Sequence, residues 1–62
     1  MPLVDITLYK GRSDEQKRRL ASAISEAFVT HCDARPDSVH IIFRDILPEQ
    51  WFKSAEIIKE KK

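Results

Sequence analysis

The order of apolar and polar residues predicts an α+β chain: a short β-α-β subunit with two parallel strands and one amphipathic helix, assembled into an oligomer. Three observations carry this expectation. An alternating segment precedes a helix-periodic one, a second apolar strand follows, and the whole chain has only 62 residues. A chain near that length buries only about 60% of the surface its unfolded form exposes. Small domains therefore lean on disulfides, a structural metal or association with other chains. Cys32 is the sole cysteine and cannot close an internal bridge. His31, Cys32 and Asp33 are consecutive, with no second spaced pair to complete a zinc-like set. No metal is expected, and association is what remains.

The first element is a strand over Leu3–Tyr9, with Val4, Ile6 and Leu8 on one face and Leu3, Asp5, Thr7 and Tyr9 on the other. Lys10-Gly11 breaks the alternation, and Gly11, the only glycine, accepts the positive φ of a sharp exit. Ser13 and Gln16 form an S-x-x-Q capping box, and Asp14 and Glu15 set negative charge against the positive end of a helix. Leu20, Ala23, Ile24, Ala27, Phe28 and His31 then recur at the spacing of one apolar stripe. The helix is expected to reach about residues 30–32 and to be ended by Arg35-Pro36, because a residue before proline avoids helical geometry.

A second strand is expected over residues 38–46, with Val39, Ile41 and Phe43 on one face and His40, Ile42 and Arg44 on the other. Few polar residues interrupt it, which suggests burial on both faces. Two strands joined by a helix of this length make a right-handed crossover with parallel strands. The helix covers one face of such a sheet and leaves the other bare. A two-stranded sheet alone is marginal in water, so a second copy of the chain is the simplest cover. Residues 48–62 are the least legible part. Trp51 and Phe52 call for burial, and residues 54–61 fit either a short helix or an extended arm docked on a neighbour.

Composition narrows the function classes. Hydrophobic residues make up 42% and charged residues 34%, which describes a chain that folds as one domain over residues 1–62. Eleven basic residues stand against ten acidic ones, so no electrostatic footprint for nucleic acid or an anionic membrane is expected. Lys17-Arg18-Arg19 reads as a solvated helix face beside Asp14 and Glu15, and Lys59-Glu60-Lys61-Lys62 as a solubilising tail. No signal-like segment of about 7–15 apolar residues opens the chain, and no apolar stretch nears the roughly 20 residues of a membrane span. A cytoplasmic setting is the expectation.

The candidate chemistry begins at Pro2. An initiator methionine before a small residue is commonly removed, which would leave a secondary amine at the start of a strand. An α-amino group has a pKa of about 7.7–8.0, and a dry pocket or a nearby cation lowers it toward the range that general acid–base catalysis needs. Arg12 follows the Gly11 turn and can offer a planar fork to a carboxylate. Cys32, at the end of the apolar stripe, has no evident base to activate it.

Pro2, the alternating strand, and the run Gly11-Arg12-Ser13-Asp14-Glu15-Gln16-Lys17 before an amphipathic helix resemble the 4-oxalocrotonate tautomerase family. The resemblance continues without gaps through Val39-His40-Ile41-Ile42 to an aromatic at Trp51. It implies a tautomerase-like β-α-β subunit, commonly one of six, with active sites at subunit boundaries and no cofactor. The amino-terminal proline, matched by Pro2, shuttles a proton in an unsaturated 2-oxo or 2-hydroxy acid. The arginine after the glycine, matched by Arg12, binds the substrate carboxylate. Trp51 matches an aromatic of the apolar wall, and Leu8 an apolar pocket residue.

Two departures from that pattern stand out. His40 takes the place of the family's second arginine, which polarises the 2-oxo group; Arg44 shares its strand face, but roughly 13 Å further along. Phe52-Lys53-Ser54-Ala55 lacks the glycines of the family's closing hairpin, so another path for this arm is expected. The expected function is an isomerase acting on a small carboxylate, with Pro2 and Arg12 catalytic and Arg12, His40, Leu8 and Trp51 binding substrate. The alternatives are hydration or dehalogenation of an unsaturated acid, for which Asp5 or Asp45 would have to activate water, and a non-catalytic structural subunit.

Overall fold

The computed structural model describes residues 2–57. The expected loss of Met1 and the charged tail over residues 59–62 concern residues outside that span. The elements run in the order β1 (Leu3–Tyr9), α1 (Asp14–Cys32), β2 (His40–Ile46), β3 (Phe52–Lys53) and β4 (Glu56–Ile57), with 3₁₀ turns at Pro36–Ser38 and Pro48–Gln50. β1 and β2 are parallel, with Leu3 opposite His40 and Tyr9 opposite Ile46. The ladder continues past both ends: the His40 amide donates to the Pro2 carbonyl at 2.9 Å and the Lys10 amide to the Ile46 carbonyl at 2.8 Å.

Helix α1 starts where its capping chemistry directs. The Gln16 amide donates to the Ser13 hydroxyl at 3.1 Å, and the Ser13 amide to the Gln16 side-chain oxygen at 2.9 Å. Gly11 takes a φ of 138° between strand and helix, a conformation that side chains disfavour. The far end falls at Cys32, within the expected residues 30–32, but Arg35-Pro36 is not what stops the helix. Asp33 does so two residues earlier, in a left-handed conformation at φ 56°, with its amide donating to the Phe28 carbonyl. Aspartate tolerates this geometry better than most residues. Pro36 instead opens the 3₁₀ turn that delivers the chain to β2, which therefore begins at His40 rather than residue 38.

The helix lies against one face of the sheet, and its contact stripe is rotated from the expected one. Lys17, Ala21, Ile24, Ser25, Phe28 and Val29 are half-buried, whereas Leu20, Ala23, Ala27 and His31 are exposed. The cause is width. Two strands lie about 4.8 Å apart, while a helix with side chains is about 10–12 Å across. Part of the apolar arc therefore overhangs. The same narrowness leaves no described residue buried, so the expected burial of β2 on both faces is not met within one chain. The chain exposes 5171 Å², against roughly 4,100 Å² for a compact protein of its mass.

The open face of the sheet carries Leu3, Asp5, Thr7, His40, Ile42 and Arg44, all exposed. The last segment corrects the expectation of a different path. β3 and β4 pair antiparallel, with Lys53 opposite Glu56, and Ser54 adopts φ 62° in the turn where glycine would be easier. The closing hairpin thus forms without glycine, and residues 54–57 form no helix. Trp51 is half-buried against Tyr9, while Phe52 stays 56% exposed.

Candidate active site

A parallel β-α-β unit returns the chain to the edge from which it started, and the candidate residues divide accordingly. Pro2 and His40 meet at the edge where both strands begin. They line a cavity of about 820 Å³ together with Phe28, Cys32 and the connection into β2, including Arg35, Asp37 and Ser38. Leu8 and Arg12 lie at the opposite edge, where a smaller cavity of about 210 Å³ also involves Gln16, Lys17, Leu20 and Phe43. Trp51 belongs to that edge too, its ring centroid 4.4 Å from that of Tyr9 at an angle of 52°.

From Pro2 to Tyr9 is seven residues of strand, or about 23 Å at 3.3 Å each. One chain therefore brings Pro2 to His40 but keeps both away from Arg12, Leu8 and Trp51. Arginine reach does not close such a gap. A site combining all five needs more than one copy.

Ion pairs tie down the remaining charges that might have served. Lys17 holds Asp45 on the helix side of the sheet. On the open face, Arg44 donates through Nε and a terminal nitrogen to the two oxygens of Asp5, each at 2.9 Å. These hydrogen bonds, reinforced by the guanidinium charge, hold the Asp5 carboxyl below its ordinary pKa and raise that of Arg44. Arg44 is thus committed across the strands at its own position.

Arg35, Asp33, Asp37 and Ser38 join Pro2 and His40 in the cavity wall, and none of them was singled out from the sequence as a site residue. A signal existed: with parallel strands, the residues just before the second strand must approach the start of the first. Local preference marks Arg35-Pro36 only as punctuation, although the connection it belongs to is carried to Pro2. Cys32 is exposed and shares the same wall.

The arrangement defines a small β-α-β subunit with a proline in the wall of one cavity and an arginine in the wall of a smaller one at its other end. Comparison with known proteins bears on the fold and the family. The model of the tautomerase enzyme family matches residues 2–61. A probable tautomerase of Lactococcus lactis is 34% identical over 61 residues, covering 98% of this chain and all of that protein. A structure of a 4-oxalocrotonate tautomerase isozyme from Methylibium petroleiphilum superposes with a TM-score of 0.84 at 36% identity, covering 90% of this chain and 88% of that one. A heterohexameric 4-oxalocrotonate tautomerase of Chloroflexus aurantiacus gives 0.77 at 39% identity, with 82% of each chain covered. The chain belongs to the tautomerase family.

Proposed function

We propose that the protein is an isomerase that moves a proton within a small unsaturated 2-hydroxy or 2-oxo carboxylic acid, at sites formed between copies of the chain. The observation that carries this is the position of Pro2: it lies beside His40 in the wall of the larger cavity. With Met1 removed, its ring nitrogen is an uncharged secondary amine at neutral pH if the surroundings are dry, since desolvation disfavours the charged form. It takes the hydroxyl proton of a dienol and returns a proton to carbon further along the conjugated chain. Atoms and charge balance, and no cofactor takes part.

The separation of about 23 Å along β1 supports assembly. Arg12, with Leu8 and Trp51 from the same edge, reaches Pro2 only from a neighbouring copy, where it grips the substrate carboxylate while the aromatic wall excludes water. The bare sheet face and the overhanging apolar arc of α1 provide surfaces for such neighbours. The heterohexamer among the relatives favours a closed assembly of similar subunits, and a homohexamer is the form we propose.

A second reading, hydration of an unsaturated acid, draws on Asp33 and Asp37, which line the Pro2 cavity. Asp5 and Asp45 do not favour it, since each is held by a cation elsewhere. One experiment tests both readings. The purified natural protein, first shown by intact mass to lack Met1, is compared with Pro2→Ala on 2-hydroxydienoates and phenylenolpyruvate. Isomerisation leaves the product mass unchanged, whereas hydration adds one water. Loss of turnover in Pro2→Ala with assembly intact is the expected result. Equal trace activity in both proteins would leave a structural subunit as the answer.

A further inference from the structure

The connection entering β2 brings a permanent cation to the Pro2 cavity. Arg35 lies in its wall, with His40 on the adjoining strand. Its backbone is extended, at φ −74° and ψ 141°, as a residue before proline prefers. The Arg35 carbonyl accepts from the Ser38 amide at 3.0 Å and from the Ser38 hydroxyl at 2.8 Å. On the helix side, the Ala34 amide donates to the Phe28 carbonyl at 3.3 Å. The side chain thus departs from a backbone anchored on both sides.

Its guanidinium is held only loosely. Nε lies 3.5 Å from an Asp37 carboxylate oxygen, and the two side chains are 81% and 75% exposed. Exposed pairs contribute little, so an anionic ligand can compete for the fork. Asp33 supplies the other carboxylate of the wall. Imidazole is mostly neutral at pH 7, whereas guanidinium remains charged. A guanidinium is thus a permanent donor to an oxygen that gains negative charge.

Resting on the reading of Pro2 as base, we propose that Arg35 is the second cationic contact of the site and binds the 2-oxygen of the substrate. When Pro2 removes the hydroxyl proton, the O–H bonding pair stays on that oxygen and spreads into the conjugated chain. Protonated Pro2 then delivers a proton to carbon, the C=O bond completes, and the charge is gone. Arg35 acts between these two transfers. It comes from the same chain as Pro2, while Arg12 comes from a neighbour, so arginines of different copies hold the oxo and carboxylate ends.

The test uses the assembled protein and the variants Pro2→Ala, Arg35→Ala, Arg35→Lys, and Arg35→Ala combined with His40→Arg, on 2-hydroxydienoates and phenylenolpyruvate. Removing a donor that stabilises developing negative charge costs about 10²–10³-fold, and Arg35→Ala should lose roughly that in kcat/KM, mostly in kcat. Arg35→Lys should retain part of the activity. Circular dichroism and sedimentation should match the wild type, because the Arg35 side chain is exposed. The combined variant should recover most of the loss, since it returns a guanidinium to the cavity from the adjoining strand. No recovery would make Arg35 a structural residue and overturn the proposal. So would Arg35→Ala activity within twofold of wild type while Pro2→Ala is inactive, an outcome that leaves the base intact. Undiminished Pro2→Ala, or a wild type inert on every substrate, would remove the base reading itself and Arg35 with it.

Discussion

A carboxylate at position 42 should keep copies of this chain apart. Ile42 is 42% exposed and Leu3 59% exposed, on one face of adjacent parallel strands whose register sets Asp5 opposite Ile42 and Leu3 opposite His40. Fully burying a leucine or isoleucine side chain is worth about 1.5–3 kcal/mol. Scaled by the exposed fractions, covering both residues contributes roughly 1.5–3 kcal/mol per chain. At a tenfold change per 1.4 kcal/mol, that is about 10- to 100-fold in association for each chain. Ile42→Asp removes part of this and places a charge where a neighbour would desolvate it, a cost of several kcal/mol. Sedimentation velocity at micromolar concentration should show an assembled wild type and a single-chain variant. The variant should also lose much of its helical circular dichroism, since no described residue is buried within one chain. Ser22→Asp, on the exposed outer side of α1, should assemble normally. An Ile42→Asp protein that assembles as tightly as wild type would refute the reasoning, as would a wild type that is monomeric and fully helical.

Two further expectations concern single chains. Ser13→Ala removes the hydroxyl that accepts from the Gln16 amide and leaves the Ser13 amide still donating to the Gln16 side chain; losing that arm should cost about 1 kcal/mol, and a thermal midpoint unchanged in the variant would count against that role. Asp5 should govern part of the acid limb. Its folded pKa lies below the ordinary 3.8 because Arg44 donates to it, so the stabilisation is complete above the unfolded pKa and disappears as pH falls through the lower folded value. Asp5→Asn should therefore lower stability at neutral pH and flatten the loss below about pH 4. Thermal melts between about pH 2 and pH 7 measure this, and an acid limb identical to wild type would remove the pair from the account.

What was legible in the sequence is what neighbouring residues decide among themselves. Alternation set the faces of β1, and Ser13 with Gln16 fixed where α1 begins. Gly11 marked the one turn between them that needs positive φ. Structure departs from local preference where an outside constraint meets it. Asp33 ends the helix before the proline signal, because an aspartate can enter the left-handed region and satisfy a helix carbonyl on the way. Ser54 makes a glycine's turn because pairing of Phe52–Lys53 with Glu56–Ile57 holds it there. Periodicity alone places the apolar stripe of α1, and it does not reveal how narrow a two-stranded sheet is.

The candidate site was legible in its residue types but not in its geometry. Pro2, Leu8, Arg12, His40 and Trp51 form one set by family resemblance, yet β1 separates Pro2 at its start from Leu8 and Arg12 at its far end by about 23 Å. The same topology made Arg35 easy to overlook, because it brings a residue 33 positions after Pro2 in sequence to the cavity that Pro2 lines. A parallel crossover thus does two things at once. It gathers Pro2, Arg35 and His40 within one chain, and it exports Arg12 and Trp51 to the far edge for a neighbour's use. Catalysis and assembly are consequently inseparable in the proposed function. A variant that holds the chain monomeric should lose turnover even with Pro2, Arg12, Arg35, His40 and Trp51 all in place.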